Sequence, residues 1–400
     1  MTISNQSSKI LFISTIPPVK CGIASFTSDL VNAINMTNDE NYSTRTCALD
    51  KEGSENNYGF PVSMVMDSHQ LNSCIKTAAI INGDPSINLV CIEHEFGLFG
   101  GELGEYFVKF IDKLKKPFVV RFHTVLPDPS AKRLKIVQTI GRLAAKVIVM
   151  TQNSAKLLKD DYQLSTHKIN IIPHGTHIVS PVSAEKLKTK YNLNHKLVLT
   201  TFGLLSPNKG IENGILAMKE ICSHFPEAVY IVLGLTHPNL LQQEGEKYRQ
   251  YLQRLIDDNN LKENVRLVNE YIPTKKLMEY LKLTDIYLFT SKDPDQAVSG
   301  TFLYAMSAGC CIISNPFVLA KEMLDEQTGI IIETGDEKEL AKNTIRLLYN
   351  SSLIAQLGQN AFLKTINTTW KRVAIQHKIL FNELLGKSEV AAKWESELIC

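Results

Sequence analysis

Residues 176–210 run THIVSPVSAEKLKTKYNLNH and then, from Lys196, KLVLTTFGLLSPNKG. The change between these two strings decides the fold. Up to His195 the residues are mostly polar, include Pro181 and hold no convincing strand, which is the pattern of a linker with a short helix. From Lys196 a continuous apolar run, Leu197–Phe202, starts a strand pattern afresh and ends on Gly203. On the N-terminal side the strand-like runs are Ile10–Ser14, Leu89–Ile92, Phe118–Val120, Val147–Met150 and Ile169–Ile172; beyond Phe202 they are Val229–Leu233, Val265–Val268, Ile286–Thr290, Cys311–Ser314 and Gly329–Ile332. These runs are continuous rather than alternating, which suits strands covered by helices on both faces.

Helix-period stripes separate the runs. Leu103, Tyr106, Phe107, Phe110, Ile111 and Leu114 share one face, as do Tyr248, Tyr251, Leu252, Leu255 and Ile256, and again Leu340, Ala341, Thr344, Ile345 and Leu348. Strand–helix alternation implies parallel sheets with right-handed crossovers. A single eight-stranded barrel would need the alternation to continue through 176–195, so the pause favours two sheets. A chain of 400 residues also exceeds what one core usually supports. The expected division is a first domain over 1–180, a linker over 181–195, a second domain over 196–365, and C-terminal helices over 366–400 that cross back to the first domain. The last helix is expected near Thr369–Leu385, on Trp370, Val373, Ile379, Leu380 and Leu384.

Charge and composition exclude several classes. A formal net charge of +2 supplies no field for nucleic acid, and 44% hydrophobic with 21% charged residues is ordinary for a soluble globular protein. No stretch approaches the ~18 apolar residues of a membrane span, and the polar Met1–Ser8 is no signal sequence. A cytoplasmic location is expected, with loose membrane contact left open. None of the eight cysteines forms a Cys-x-x-Cys pair. Cys91, Cys310 and Cys311 stand in or beside strand-like runs and read as core residues of a reducing compartment, not as disulfide or zinc ligands.

In open parallel sheets ligands bind beyond the carboxyl ends of strands, so the residues that follow each run matter most. The first strand leads to Gly22 at a helix start, where free amides can meet an anion. After Leu89–Ile92 come Glu93, His94 and Glu95 and a glycine-rich loop through Gly101. A core strand end has no need of three ionisable groups in a row, so they are candidates for ligand contact. After Phe118–Val120 come Arg121 and His123, and a histidine at a strand end can hold a sugar hydroxyl or move a proton. In the second half Lys209 precedes a helix expected to start near Ile211, which makes a phosphate clamp of charge plus amides. The segment 291–306 runs SKDPDQAVSGTFLYAM, in which Ser299, Gly300 and Thr301 would present amides to a diphosphate. Asp293 and Asp295 are too few carboxylates for a metal site, and no metal or resident cofactor is expected.

Together these strand ends resemble the family 4 glycosyltransferases, over most of the chain. That resemblance implies the α/β GT-B fold: two Rossmann-like parallel-sheet domains facing each other across a cleft that holds the active site. Gly22 matches the family's N-terminal glycine turn, with Cys21 where a second glycine often stands. His123 matches the histidine that reaches the transferred sugar, and Ile172-Pro173-His174-Gly175 looks like the close of the first domain. Gly203 to Gly210 resembles the Gly-Arg…Lys-Gly clamp, with Leu204 at the arginine position and Lys209 retained. The two glutamates of the family's Glu-x7-Glu motif are replaced, by Gln296 and Tyr304.

The resemblance implies retaining transfer of a hexose, of glucose or mannose type, from a nucleotide-sugar donor to a hydroxyl of a saccharide or glycan-precursor acceptor. His123, Lys209 and Gln296 are then the candidate catalytic residues. Gly22, Lys209, Asn269, Tyr271, Val298, Ser299, Gly300, Thr301 and Tyr304 are candidates for the donor, with Asn269 and Tyr271 near the base. Glu93, His94, Glu95 and His123 are candidates for the acceptor. Two further readings stay open: a phosphorylase that uses a sugar 1-phosphate, and a non-catalytic nucleotide- or glycan-binding protein. The sequence leaves the oligomeric state undetermined.

Overall fold

A computed structural model describes residues 8–37, 42–51, 54, 56–179, 182–387 and 394. Pro181, Cys400 and residues 1–7 of the N-terminal stretch lie outside them. The chain divides into two compact units, Met1–Gly175 with Trp370–Cys400, and Thr176–Thr369.

The first unit is built on β1 (Ser8–Ser14), β2 (Tyr42–Asp50), β3 (Val62–Asp67), β4 (Ile87–His94), β5 (Phe118–Phe122), β6 (Lys146–Val149) and β7 (Ile169–Ile171). They pair in parallel in the order β3-β2-β1-β4-β5-β6-β7. The second unit holds β8 (Leu197–Phe202), β9 (Ala228–Leu233), β10 (Val265–Val268), β11 (Ile286–Phe289), β12 (Cys311–Ser314) and β13 (Ile330–Ile331) in the parallel order β10-β9-β8-β11-β12-β13. Strand order reverses between β1 and β4 in one sheet and between β8 and β11 in the other. Such a reversal splays the adjoining loops apart and opens a crevice at the carboxyl ends.

Apolar runs without alternation form these strands because both sheet faces are covered. Val198 and Leu199 are neighbours in β8 and both fully buried, yet they join different apolar clusters. The same split divides Tyr287 from Ile286 and Leu288 in β11, and Ile312 from Cys311 and Ile313 in β12. Successive side chains on a strand point to opposite faces, so two clusters mean two helical layers. Cys91, Cys310 and Cys311 are buried core residues, and burial pushes the Cys311 thiol up to about 12.

Two strands of the first unit, β2 and β3, were not anticipated. β2 reads YSTRTCALD, with polar residues at its first half, and β3 is an edge strand whose Ser63 and Val65 are exposed. Neither shows the continuous apolar run that marks a doubly covered strand. The stretch expected as a linker also carries core. Helix Ala184–Lys190 is capped by Ser183, whose side chain accepts from Lys186 N, and its Leu187, with Leu193, is buried in the second unit's apolar cluster. The helix Trp370–Leu384 packs on helix Gly22–Met36 of the first unit, with Phe381 edge-on to Phe12 of β1 at 6.3 Å.

His94, at the end of β4, was expected to touch an acceptor and does not. Its side chain is buried among Phe96, Phe107 and Phe122, with ring centroids 4.9–5.2 Å away, and neither ring nitrogen has a hydrogen-bond partner among the described residues. Burial, with a smaller effect of His123, pulls its pKa down to about 3. The unfolded chain, with an ordinary histidine pKa of about 6.5, therefore binds a proton that the folded state refuses between those values. That contribution to stability is fully present above pH 6.5 and is lost as pH falls towards 3. Replacing His94→Phe should make the acid decline of the unfolding free energy, read from urea titrations, shallower by up to about 1.4 kcal/mol per pH unit for one proton. An unchanged slope would mean that His94 is not the neutral buried group described. His174, which burial pulls to about 4, contributes in the same sense and stays in both proteins.

One helix contact in the second unit needs glycine. A Cβ on Gly358 would stand 2.2 Å from the carbonyl oxygen of Gly309, the residue that ends the segment after helix Gly300–Ser307 with φ +76°. Backbone cannot yield as a side chain can, so Gly358→Ala should cost about 1–3 kcal/mol, read from urea unfolding. Gly83→Ala, where a Cβ would meet nothing within 4 Å, serves as the near-neutral control.

Candidate functional site

In the second unit the chain leaves β8 through Gly203 and makes a 3-10 turn at Pro207–Lys209 that ends on Gly210, from which helix Ile211–His224 starts. Gly210 has φ +60°, and a Cβ there would stand 2.3 Å from the carbonyl oxygen of Thr290, just past β11. Only glycine permits both the backbone angle and the approach. The two loops are stitched together: Thr290 Oγ1 donates to Lys209 O at 2.9 Å, and Lys292 N donates to Asn208 O at 2.8 Å. Lys209 is thereby held at the reversal between β8 and β11. Burial draws the pKa of its amine down, and Asp293 draws it up by less. His237, whose pKa burial lowers first and Lys209 lowers further, sits close enough to feel that charge.

The segment after β11 forms the other side of this crevice. Ser299 caps helix Gly300–Ser307: its Oγ accepts from Phe302 N at 3.3 Å and lies 3.0 Å from Thr301 Oγ1. Gly300 and Thr301 are the first helical residues, so their N–H groups have no acceptor within the helix. Thr301 Cγ2 lies 3.4 Å from where a Cβ on Gly203 would be. The structure therefore brings the loop of Lys209 and the helix start at 299–301 together within one unit. A lysine, two glycine-permitted turns and unpaired amides at a helix N-terminus form a cradle for an anion.

Gln296 closes its own loop, with Nε2 donating to Val298 O at 3.0 Å and Oε1 accepting from Ser291 Oγ at 3.4 Å. Tyr304, one turn along the helix from Gly300, stacks on Phe202 at 6.3 Å with an interplanar angle of 11° and meets the edge of His177 at 4.9 Å. Asn269 and Tyr271 are exposed beyond β10, the edge strand, which is joined to the neighbouring loop by Gly234 N donating to Val268 O at 3.0 Å. Asp293 Oδ1 accepts from Asp295 N at 3.1 Å in a local turn.

In the first unit the candidate residues lie at the ends of β4 and β5, next to the reversal between β1 and β4. Gly22 opens helix Gly22–Met36, and a Cβ there would meet nothing within 4 Å, so internal packing does not demand glycine. The Sγ of Cys21 caps that helix, accepting from Ala24 N at 3.3 Å. Glu95 is committed locally: its carboxylate accepts from Phe96 N at 2.9 Å and from the Thr124 hydroxyl.

Glu93 was also expected at an acceptor, and the structure corrects this. Its side chain is wholly buried, with Oε2 2.8 Å from His123 Nε2 and Oε1 3.8 Å from Arg121 Nη1. Register explains the arrangement, because Glu93 of β4 pairs directly with Arg121 of β5. Burial alone would raise the Glu93 pKa, but Arg121, the hydrogen bond to His123 and the nearby imidazoles together hold it below the usual carboxylate range. Arg121 is itself wholly buried, lies 4.6 Å from the Phe26 ring centroid and reaches His377 Nε2 on helix Trp370–Leu384. His377 Nδ1 is 2.7 Å from Val373 O, and burial and Arg121 keep the ring neutral. Phe26 also meets His123, His174 and Trp370 edge-on at 5.0–5.2 Å.

Arg121 and His377 were not singled out from sequence. An arginine flanked by Val119, Val120 and Phe122 is a legible signal, since a charge inside an apolar strand needs a buried partner. His377 leaves none, because it falls in an amphipathic helix far along the chain.

Residues 183–364 match the family described as Glycosyl transferases group 1. Over 260 residues the chain is 27% identical to uncharacterized glycosyltransferase MJ1069 of Methanocaldococcus jannaschii, covering 62% of each protein. It is 24% identical over 260 residues to the GPI3 subunit of Saccharomyces cerevisiae phosphatidylinositol N-acetylglucosaminyltransferase, covering 55% of this chain and 54% of that one. The matched segment thus spans less than two thirds of these relatives. Anabaena HepE, solved with UDP and glucose, aligns with a TM-score of 0.73 at 16% identity over 94% of this chain and 100% of that one. Sucrose-phosphate synthase from Thermosynechococcus elongatus aligns with a TM-score of 0.76 at 17% identity over 95% and 99%. Among the described residues no helix is long and apolar enough to cross a membrane. Residues 183–364 thus match the group 1 glycosyltransferase family, in a chain whose two parallel-sheet units have the GT-B fold.

Proposed function

We propose that this chain transfers a hexose, of glucose or mannose type, from a nucleotide-sugar donor to a hydroxyl of a saccharide or glycan-precursor acceptor, with retention of the anomeric configuration. The observation that carries the reading is the anion cradle of the second unit, where Lys209 and the helix start at Ser299–Thr301 converge on the β8–β11 reversal. It lies inside the group 1 domain. The UDP and UDP-glucose found with structural neighbours point to the same class of donor.

The chemistry asks for little covalent participation by protein. The bond between the anomeric carbon and the diphosphate oxygen breaks, and one to the acceptor oxygen forms. The acceptor's proton passes to the departing phosphate oxygen. The main task is to stabilise charge that collects on the diphosphate, which Lys209 and the amides of Gly300 and Thr301 would do without reorganising. Gly22, at a helix start with open space before it, would add amides of the same kind. Gln296 can both donate to and accept from sugar hydroxyls. Val298 shapes the loop beneath it, and the Tyr304–Phe202 stack supplies an apolar wall beside the phosphates. Asn269 and Tyr271 are assigned to the base, and Glu95 and His123 to saccharide hydroxyls. No metal or resident cofactor enters this scheme.

A thermal-shift panel of nucleoside diphosphates, their glucose and mannose esters, and sugar 1-phosphates tests the donor. A ligand at a hundred times its Kd should add about 2.7 kcal/mol of stability. Lys209→Ala should weaken donor binding about tenfold to a hundredfold, the worth of one charge-assisted hydrogen bond. A response to sugar 1-phosphates alone, with sugar phosphate released from oligosaccharide in inorganic phosphate, would replace this reading with a phosphorylase. Donor binding with no transfer to any saccharide would leave a binding protein. The anomeric configuration of the product, read by NMR, checks retention.

A further inference from the structure

Glu93 is wholly buried, so it cannot meet a ligand directly, yet it is not engaged as a core carboxylate would be if its task were structural alone. One oxygen faces the Arg121 guanidinium at 3.8 Å, too long for a hydrogen bond, and that oxygen has no hydrogen-bond partner among the described residues. The other lies 2.8 Å from His123 Nε2. His123 is the outermost member of this group, with its side chain 13% exposed. Among the described residues nothing is hydrogen-bonded to its Nδ1, and Nδ1 is not among the buried unpartnered atoms. The ring is steered as well as bonded: Phe26 stands edge-on to it at 5.1 Å and 88°, and the His123 backbone N–H donates to His94 O at 3.0 Å.

We infer that Glu93 is a positioning residue for His123: its carboxylate accepts a hydrogen bond from Nε2–H, so that in the neutral imidazole Nδ1 is the acceptor at the site surface. An ionised carboxylate has no proton to give, so the 2.8 Å contact requires the hydrogen on Nε2. Arg121 keeps the carboxylate ionised from behind, and His377, whose own Nδ1–H is given to Val373 O, supports Arg121 through Nε2. His123 can then receive a hydrogen bond at Nδ1, which selects a hydroxyl of the ligand and rejects a carbonyl or phosphate oxygen. This rests on the saccharide reading for the nature of the ligand, but the tautomer itself does not.

The tautomer can be read without substrate. Long-range proton–nitrogen spectra of the full ¹⁵N-labelled chain near neutral pH, assigned with His123→Gln, should show His123 protonated on Nε2 alone. In Glu93→Gln the single tautomer should give way to a mixture. A wild-type His123 protonated on Nδ1 would overturn the inference, whether or not any variant folds. The kinetic arm is a double-mutant cycle. Glu93→Gln and His123→Ala should each lower kcat/KM about tenfold or more, and the double variant should be no worse than His123→Ala, because Glu93 acts through His123. Multiplying effects would assign Glu93 a separate structural role and defeat the proposal. If no transfer activity is found, the glycosyltransfer reading fails while the spectra still decide the tautomer.

Discussion

A parallel strand covered on both faces has no solvent along its length, so a polar side chain must either sit at its carboxyl end or bring its own partner inside. Both units of this chain obey that constraint. In the second, β8 and β11 carry no charged residue, and the buried hydroxyls of Thr200 and Thr201 in β8 find partners inside, at Thr284, Leu288 O and Tyr230; the candidate site groups follow the strands, at Gly203, Lys209, Thr290 and Ser291. In the first, β4 and β5 carry Glu93 and Arg121 within the buried sheet. They are tolerated because parallel register sets them side by side and because each gains one further partner, His123 for Glu93 and His377 for Arg121. A buried charge without such partners costs several kcal/mol, so this group is a place where the fold concedes stability to something other than packing.

The two crevices are therefore built differently. The anion cradle of the second unit is mostly backbone: turns that glycine permits at 203 and 210, a capped helix start at 299–301, and one lysine. Backbone donors of this kind are already oriented when an anion arrives, which is what a diphosphate leaving group needs. The first unit offers side chains instead, an imidazole near the surface with a carboxylate and a guanidinium behind it. Such a relay of buried groups holds one ring in one orientation. The first device suits a ligand charge of fixed sign, the second a hydroxyl whose position must be selected.

At the two positions where the family resemblance leads one to expect glutamates, the side chains present are held by local contacts. Gln296 is tied to Ser291 and Val298 in its own loop, and Tyr304 belongs to an aromatic stack with Phe202 and His177. Neither position carries charge, so neither places a carboxylate in that loop, and Asp293 is a carboxylate whose charge reaches Lys209.

The alternation of apolar runs and amphipathic stripes determined from sequence alone that there are two parallel-sheet units, because a doubly covered strand leaves a signal in consecutive residues. All six strands of the second unit were legible for that reason, and β2 and β3, mixed or half exposed, were not. The placement of Lys209, His123 and Ser299–Thr301 past strand ends was also legible, because each follows an apolar run. Tertiary structure alone decided the surroundings of the charged residues at 93–95. Glu93, His94 and Glu95 are consecutive in sequence, yet one supports a histidine, one is walled in by phenyl rings and one caps a turn. Strand register and the return of helix Trp370–Leu384, whose His377 lies 256 residues past Arg121, settle those surroundings, and both are contacts between residues that local sequence cannot pair.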